Sequence, residues 1–113
     1  MGKYYIRIDS GERVNHHRPS VDILFQSVAR EAGSSAVGIL LTGMGSDGAR
    51  GLLLMKESGA YTIAQDKTSS IVFGMPAEAI KCGAVQNIVS LHHMPEIIKR
   101  NNYGPIALNG VCA

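Results

Sequence analysis

With 113 residues, 45% of them hydrophobic and 18% charged, the chain has room for one small domain and not for two. A net charge of +2 is too small for a nucleic-acid footprint, and no apolar run approaches the ~20 residues that span a bilayer. Met1-Gly2-Lys3-Tyr4-Tyr5 has no apolar signal-peptide core, which leaves the cytoplasm as the default location.

Tyr4 to Ile8 is rich in strand formers and ends at Ser10-Gly11; Glu12 to Pro19 is polar and reads as a loop. Ser20 is a good helix N-cap, and apolar residues at 21, 24, 25, 28 and 29 share one helical face. Gly33 stops that helix. Ala36 to Leu41 is a continuous apolar run, the mark of a strand buried on both faces. A tight loop over 43–48 leads into a helix over Ala49 to Ser58, then a strand from Ala60 to Gln65. A polar loop covers Asp66 to Ser70. Pro76 suits the first turn of a helix from Met75 to Lys81, ended by Gly83. Ala84 to Leu91 reads as a last strand, Met94 to Arg100 as a last helix, and everything from Asn101 as a tail. Strand–helix alternation of this kind predicts an α/β domain with a parallel sheet.

Cys82 and Cys112 make no disulfide framework. Cys82, after a helix, reads as a small packing residue, and Cys112 lies at the chain end. His16 and His17 are adjacent, with no carboxylate or Cys at ligand spacing, so no metal site is expected. His92 and His93 read as solvated surface residues.

The richest segment is Leu41-Thr42-Gly43-Met44-Gly45-Ser46-Asp47-Gly48-Ala49, which joins the most apolar strand to a helix. Ligands and catalytic groups gather at such carboxyl ends of strands. Gly43-x-Gly45-x-x-Gly48, with Asp66 about 20 residues on, is also a literal dinucleotide fingerprint. Asp47 opposes that reading, because it puts a negative charge where a pyrophosphate would sit. By its residues alone, Asp47 is open to three roles: helix cap, member of a nucleotide loop, or catalytic carboxylate.

Arg18-Pro19-Ser20-Val21-Asp22, Leu40 to Leu52 (LLTGMGSDGARGL) and Val72 to Ile80 (VFGMPAEAI) together resemble, in order and spacing, the latter half of the catalytic domain of chemotaxis methylesterases (CheB). Ala60 to Asp66 also looks like the family, and the likeness runs from about Val14 to about Leu91. It implies part of a doubly wound, mostly parallel α/β domain that hydrolyses glutamate methyl esters on chemoreceptors, with deamidation of receptor glutamine in many members and no cofactor. By the Gly-Met-Gly-x-Asp-Gly match, Asp47 takes the place of the triad Asp, and Met44 that of the residue whose backbone N–H helps form the oxyanion hole. The nucleophilic Ser and the His lie earlier in the family's domain. No Gly-x-Ser-x-Gly elbow occurs here; Ser20 reads as a cap, and Ser69 and Ser70 as loop residues. His93-Met94-Pro95 superficially repeats the family's catalytic His motif, but on the wrong side of Asp47 in chain order. The chain is therefore expected to be the C-terminal portion of a methylesterase domain, inactive alone and prone to self-association along an open sheet edge. A dinucleotide-binding module and a non-catalytic receptor-binding or assembly piece are the competing readings.

Overall fold

The apolar run beginning at Ala36 becomes the strand around which everything else is arranged. The computed structural model describes residues 4, 5, 7, 11, 20–100, 106–108 and 111–112. Helix α1 (Val21–Ala32) passes through a 3-10 turn into β1 (Val37–Leu40), all four residues of which are buried. Beyond β1 come α2 (Ala49–Glu57), β2 (Tyr61–Gln65), α3 (Met75–Lys81), β3 (Asn87–Val89), α4 (Met94–Arg100), β4 (Ile106–Leu108) and β5 (Val111–Cys112). The sheet order is β3-β2-β1-β4-β5. β1 to β4 run parallel, with Val37 opposite Tyr61 on one side and Ile106 on the other, and β5 is antiparallel to β4. This is the expected mostly parallel α/β sheet.

Side chains alternate across β1 as the pleat requires. Leu40 packs with Phe25, Val28, Leu52, Met55 and Met75 beneath α1, α2 and α3. Val37 and Ile39 point the other way and meet Ile63, Val89 and Met94 under α4. Helices thus cover both faces, which is why β1 has no polar residue. The helix expected at 75–81 and the one at 94–100 have those bounds, and Pro76 stands in the first turn of α3.

Four expectations are corrected. The strand expected over Ala84 to Leu91 is only three residues long, because Thr62 and the backbone at 84–86 exchange side-chain and main-chain bonds before β3 begins. Tyr4, Tyr5 and Arg7 carry no strand, and Ile6 and Ile8 lie outside the described residues. Cys82 is exposed rather than packed. The tail is not featureless: β4 and β5 lie within it and cover the edge of β1 that faces away from β2. The missed signal is Asn109-Gly110, a dipeptide favoured in two-residue hairpin loops, between the apolar pairs of β4 and β5. The open edges of the sheet therefore belong to the short strands β3 and β5.

Helix α2 crosses α1 at Gly51. A Cβ there would meet Phe25 Cβ at 2.7 Å and the backbone of Asp22 at 3.0 Å. Alanine favours a helix over glycine by about 1 kcal/mol, whereas overpacking costs about 1–3 kcal/mol. Gly51→Ala is therefore expected to lower the urea midpoint with an unchanged m-value; a raised midpoint would mean that α1 and α2 separate without cost.

Candidate functional site

At the carboxyl end of β1 the chain leaves the sheet through residues 41–48, and two carboxylates organise the junction with the neighbouring helices. Asp47, only 6% exposed, does not cap its own helix. Its carboxylate faces the first turn of α1, accepting from Val21 N (2.7 Å), Asp22 N (3.1 Å) and Ser20 Oγ (3.0 Å). Asp22, 5% exposed, returns the arrangement: its Oδ1 accepts from Gly48 N (3.0 Å) and Gly51 N (2.7 Å) at the start of α2. Each helix thus begins on a carboxylate that belongs to the other. Backbone amides at a helix start lack intrahelical acceptors, and an anion there also meets the positive end of the helix dipole.

This arrangement corrects two readings. Ser20 stands at the N-cap of α1, but its hydroxyl makes no cap bond and donates to Asp47 instead. The helix-cap reading of Asp47 holds for α1 rather than α2. The turn that makes the exchange possible is at Gly48, whose φ of 98° lies in the left-handed region and whose missing Cβ leaves room for Leu40 and Val21.

The loop between β1 and Asp47 is held from its other side. Thr42 Oγ1 donates to Val72 O (2.9 Å) and accepts from Val72 N (2.8 Å), and Gly43 N donates to Val72 O (3.0 Å). Gly43 O accepts from two amides at the start of α3, Gly74 N (3.1 Å) and Met75 N (2.8 Å). Gly74 permits this contact: a Cβ on it would stand 2.7 Å from Gly43 O. In a trans peptide the N–H points away from the carbonyl. Fixing Gly43 O therefore fixes the N–H of Met44 in the opposite direction. Among the described residues, that N–H donates to no protein group. The Met44 side chain is 80% exposed.

The dinucleotide reading fails on the same geometry. The α2 amides that would cradle a pyrophosphate already serve Asp22. Asp66, which would have to receive a ribose, accepts from Ser69 Oγ (2.6 Å) and Ser69 N (2.9 Å) in its own loop. Sequence reasoning gave no role to Asp22, Gln65 or Ser69. A signal for Gln65 existed: a long amide side chain closing a buried strand, Ala60 to Gln65, must find partners.

Of the four His, His16 and His17 lie outside the described residues. His92 and His93 are exposed, and His93 Nδ1 pairs with Ser90 Oγ at 2.7 Å. Among the described residues no group of three or more His, Cys, Asp or Glu could hold a metal, and no helix is long and apolar enough to cross a membrane.

Substitutions at two residues probe these contacts. Asp22→Ala leaves two buried amides without their acceptor, at about 1–3 kcal/mol each. The urea midpoint should fall by the equivalent of about 2–6 kcal/mol, with a smaller loss for Asp22→Asn, which keeps one oxygen; equal midpoints for Ala and wild type would mean that Asp22 does not hold α2. At Asp66, the Ser69 hydroxyl and then the Ser69 N–H hold the carboxyl below its ordinary value, burial opposes them, and the charge of His93 adds to them. A lowered folded value means stabilisation that is complete above the unfolded value of about 3.9 and lost as pH falls through the folded one. Ser69→Ala should raise the Asp66 midpoint in a carboxyl NMR titration; an unmoved midpoint would assign the shift elsewhere.

Comparison with known proteins places the chain in a family. The family model described as CheB methylesterase matches residues 2–98. A protein of Rhodopseudomonas palustris named protein-glutamate methylesterase/protein-glutamine glutaminase of group 3 operon is 58% identical over 96 residues, 85% of this chain and 26% of that protein. Protein-glutamate methylesterase/protein-glutamine glutaminase 2 of Bordetella avium is 60% identical over 95 residues, 84% of this chain and 27% of its own length. The crystal structure of the Thermotoga maritima CheB methylesterase catalytic domain superposes with a TM-score of 0.79 at 34% identity, covering 81% of this chain and 49% of that one. The chain thus spans about a quarter of the curated relatives it matches and about half of the solved domain. Sequence, fold and the 2–98 match agree: the chain belongs to the CheB methylesterase family.

Proposed function

We propose that residues 41–48 supply the acidic and electrophilic parts of a Ser-His-Asp hydrolase that acts on glutamate methyl esters of chemotaxis receptors, and on receptor glutamine amides. The substrate is a protein, in line with the names of the relatives. Asp47 is the triad carboxylate. Met44 offers its backbone N–H to the oxyanion. The nucleophilic Ser and the His come from the part of the catalytic domain that these residues do not include.

The observation that supports this reading is the Gly43–Met44 peptide, whose carbonyl is tied to Gly74 N and Met75 N and whose N–H, opposite that carbonyl, donates to no protein group among the described residues. An oxyanion hole needs donors that do not reorganise as charge develops, and a peptide fixed through its carbonyl meets that need. Asp47, three residues on, is held by the start of α1, so its carboxylate has one set orientation, as the partner of a His ring requires. In the reaction the His takes the serine proton as Ser attacks the ester carbonyl. The tetrahedral oxygen is stabilised by Met44 N–H, and methanol leaves with the proton returned by the His. Water then cleaves the acyl-enzyme to glutamate by the same steps, with Asp47 holding the imidazole and offsetting the imidazolium charge.

The test is Asp47→Asn in a catalytic domain that carries these residues together with the Ser and His. Judged as a simple cap, the substitution would cost about 1 kcal/mol. Both oxygens of Asp47 are in use, however, so one amide donor of α1 would face the new NH2 group, and the loss should reach about 1–3 kcal/mol. Methanol release, corrected for the folded fraction, should fall on the order of 10⁴-fold. Retention of more than about a tenth of the activity would leave Asp47 as a structural cap only.

A further inference from the structure

Gln65 closes β2 with a side chain that is 1% exposed and has no unused polar atom. Its Oε1 accepts from Thr42 N at 2.8 Å, and its Nε2 donates to Ser69 O at 2.8 Å and Ser69 Oγ at 3.2 Å. The β1–β2 ladder ends with Leu40 opposite Ala64. Beyond that point the backbone of β2 turns toward β3, with Asp66 N donating to Val89 O at 2.9 Å. The departing β1 strand would lose its neighbour there. The carboxamide of Gln65 takes the place of a peptide group and carries the pairing one step further, to Thr42.

Thr42 is also the residue that exchanges two bonds with Val72, and its neighbour Gly43 is bonded to Val72, Gly74 and Met75. The loop that presents Met44 N–H is thus clamped from the α3 side by 72–75 and from the sheet side by Gln65. Ser69 fixes the far end of the bracket, because its hydroxyl also accepts from Leu91 N (3.0 Å) and donates to Asp66. One continuous set of bonds runs across the carboxyl ends of β1, β2 and β3, through Thr42, Gln65, Ser69 and Leu91.

From this we infer that Gln65 is a positioning residue for the oxyanion donor: it sets the height and tilt of the Thr42–Met44 segment at the end of β1. The inference rests on the proposed role of Met44. Gln65 touches no substrate. Loss of its acceptor leaves Thr42 N unbonded, lets the segment rise from the sheet, and so weakens stabilisation of the tetrahedral oxygen more than it weakens binding of the ester.

The test has two arms. In the first, amide exchange and chemical shifts are recorded by NMR on the 113-residue chain. Gln65→Met should expose Thr42 N–H to exchange and shift Thr42 to Gly45, while Ile39 in β1 stays protected. An unchanged Thr42 amide in a folded variant overturns the proposal whatever the catalytic result. In the second, the same variant is placed in a catalytic domain completed with the preceding part of the Rhodopseudomonas palustris relative, with methanol release from a methylated receptor fragment as readout. We expect kcat to fall on the order of 10²-fold, as for loss of one oxyanion donor, with KM changed less than about twofold. A mobile Thr42 with unaltered kcat overturns the role of Met44 and this inference with it, while leaving the Asp47 test untouched. Gln65→Glu guards against a variant that fails to fold. A carboxyl at this buried position has a raised pKa; protonated, it can both accept from Thr42 and donate to Ser69. Ionised, it keeps an acceptor for Thr42 N and loses only the donor to Ser69 O. In either form Thr42 N–H should stay protected and kcat should stay well above that of Gln65→Met; a folded Gln65→Glu variant that matches Gln65→Met in kcat overturns the bracket.

Discussion

The first turns of α1 and α2 are fastened to each other through carboxylates that each takes from the other's side: Asp47 precedes α2 and serves α1, and Asp22 lies in α1 and serves α2. Two short helices of 12 and nine residues have little stability of their own. Here each is completed by the other, so their relative rotation and height are fixed by bond lengths near 3 Å rather than by packing alone. Gly51, at the crossing, allows the backbones to approach closely enough for the exchange. Both carboxylates are almost fully buried. Such groups cannot be left half satisfied, which makes the arrangement cooperative: a shift of either helix strips acceptors from both.

The loop between β1 and Asp47 inherits that rigidity at one end and receives more at the other. Its backbone is tied to residues 72–75, and Thr42, near its start, to Gln65. The side chain of Met44, by contrast, is exposed and unconstrained by the core. What the fold holds at this position is a peptide group. The position of that peptide group depends on residues far away in sequence, Gly74 among them, whose side chains or lack of them decide how close two loops can come.

The sheet and helices were largely legible because hydrophobic patterning is a local signal. The run at 36–41 declared a strand buried on both faces, and Pro76 with Gly83 bracketed α3 closely. The pairing of β4 with β5 was overlooked because each arm is too short to show a period, although the Asn109-Gly110 dipeptide is a turn signal in the sequence. At the site, the Gly-rich loop and Asp47 stood out by residue type and by likeness to a family. The destination of the Asp47 carboxylate did not, because a cap is read from the residues that come after it in sequence. Its donors lie 25 to 27 residues earlier. Asp22 sat inside a segment already singled out, yet its role needs the partner helix in place. Gln65 and Ser69 looked like strand end and loop, and only the convergence of three strand ends reveals what they hold.

The crossed carboxylates also bear on the order in which the polypeptide matures as it leaves the ribosome. Helix α1 is made first, yet its leading amides have no acceptor until residue 47 has been added. Until then its start is open to water, and Phe25 has neither Leu52 nor Met55 to pack against. The carboxylate that completes α1 belongs to the loop that Asp22 must in turn secure. A nascent chain that stops short of this point lacks the acceptors that complete the start of α1, and one that passes it holds the acceptors for both helix starts. The starts of the two helices and the loop between them are therefore completed by the same set of bonds.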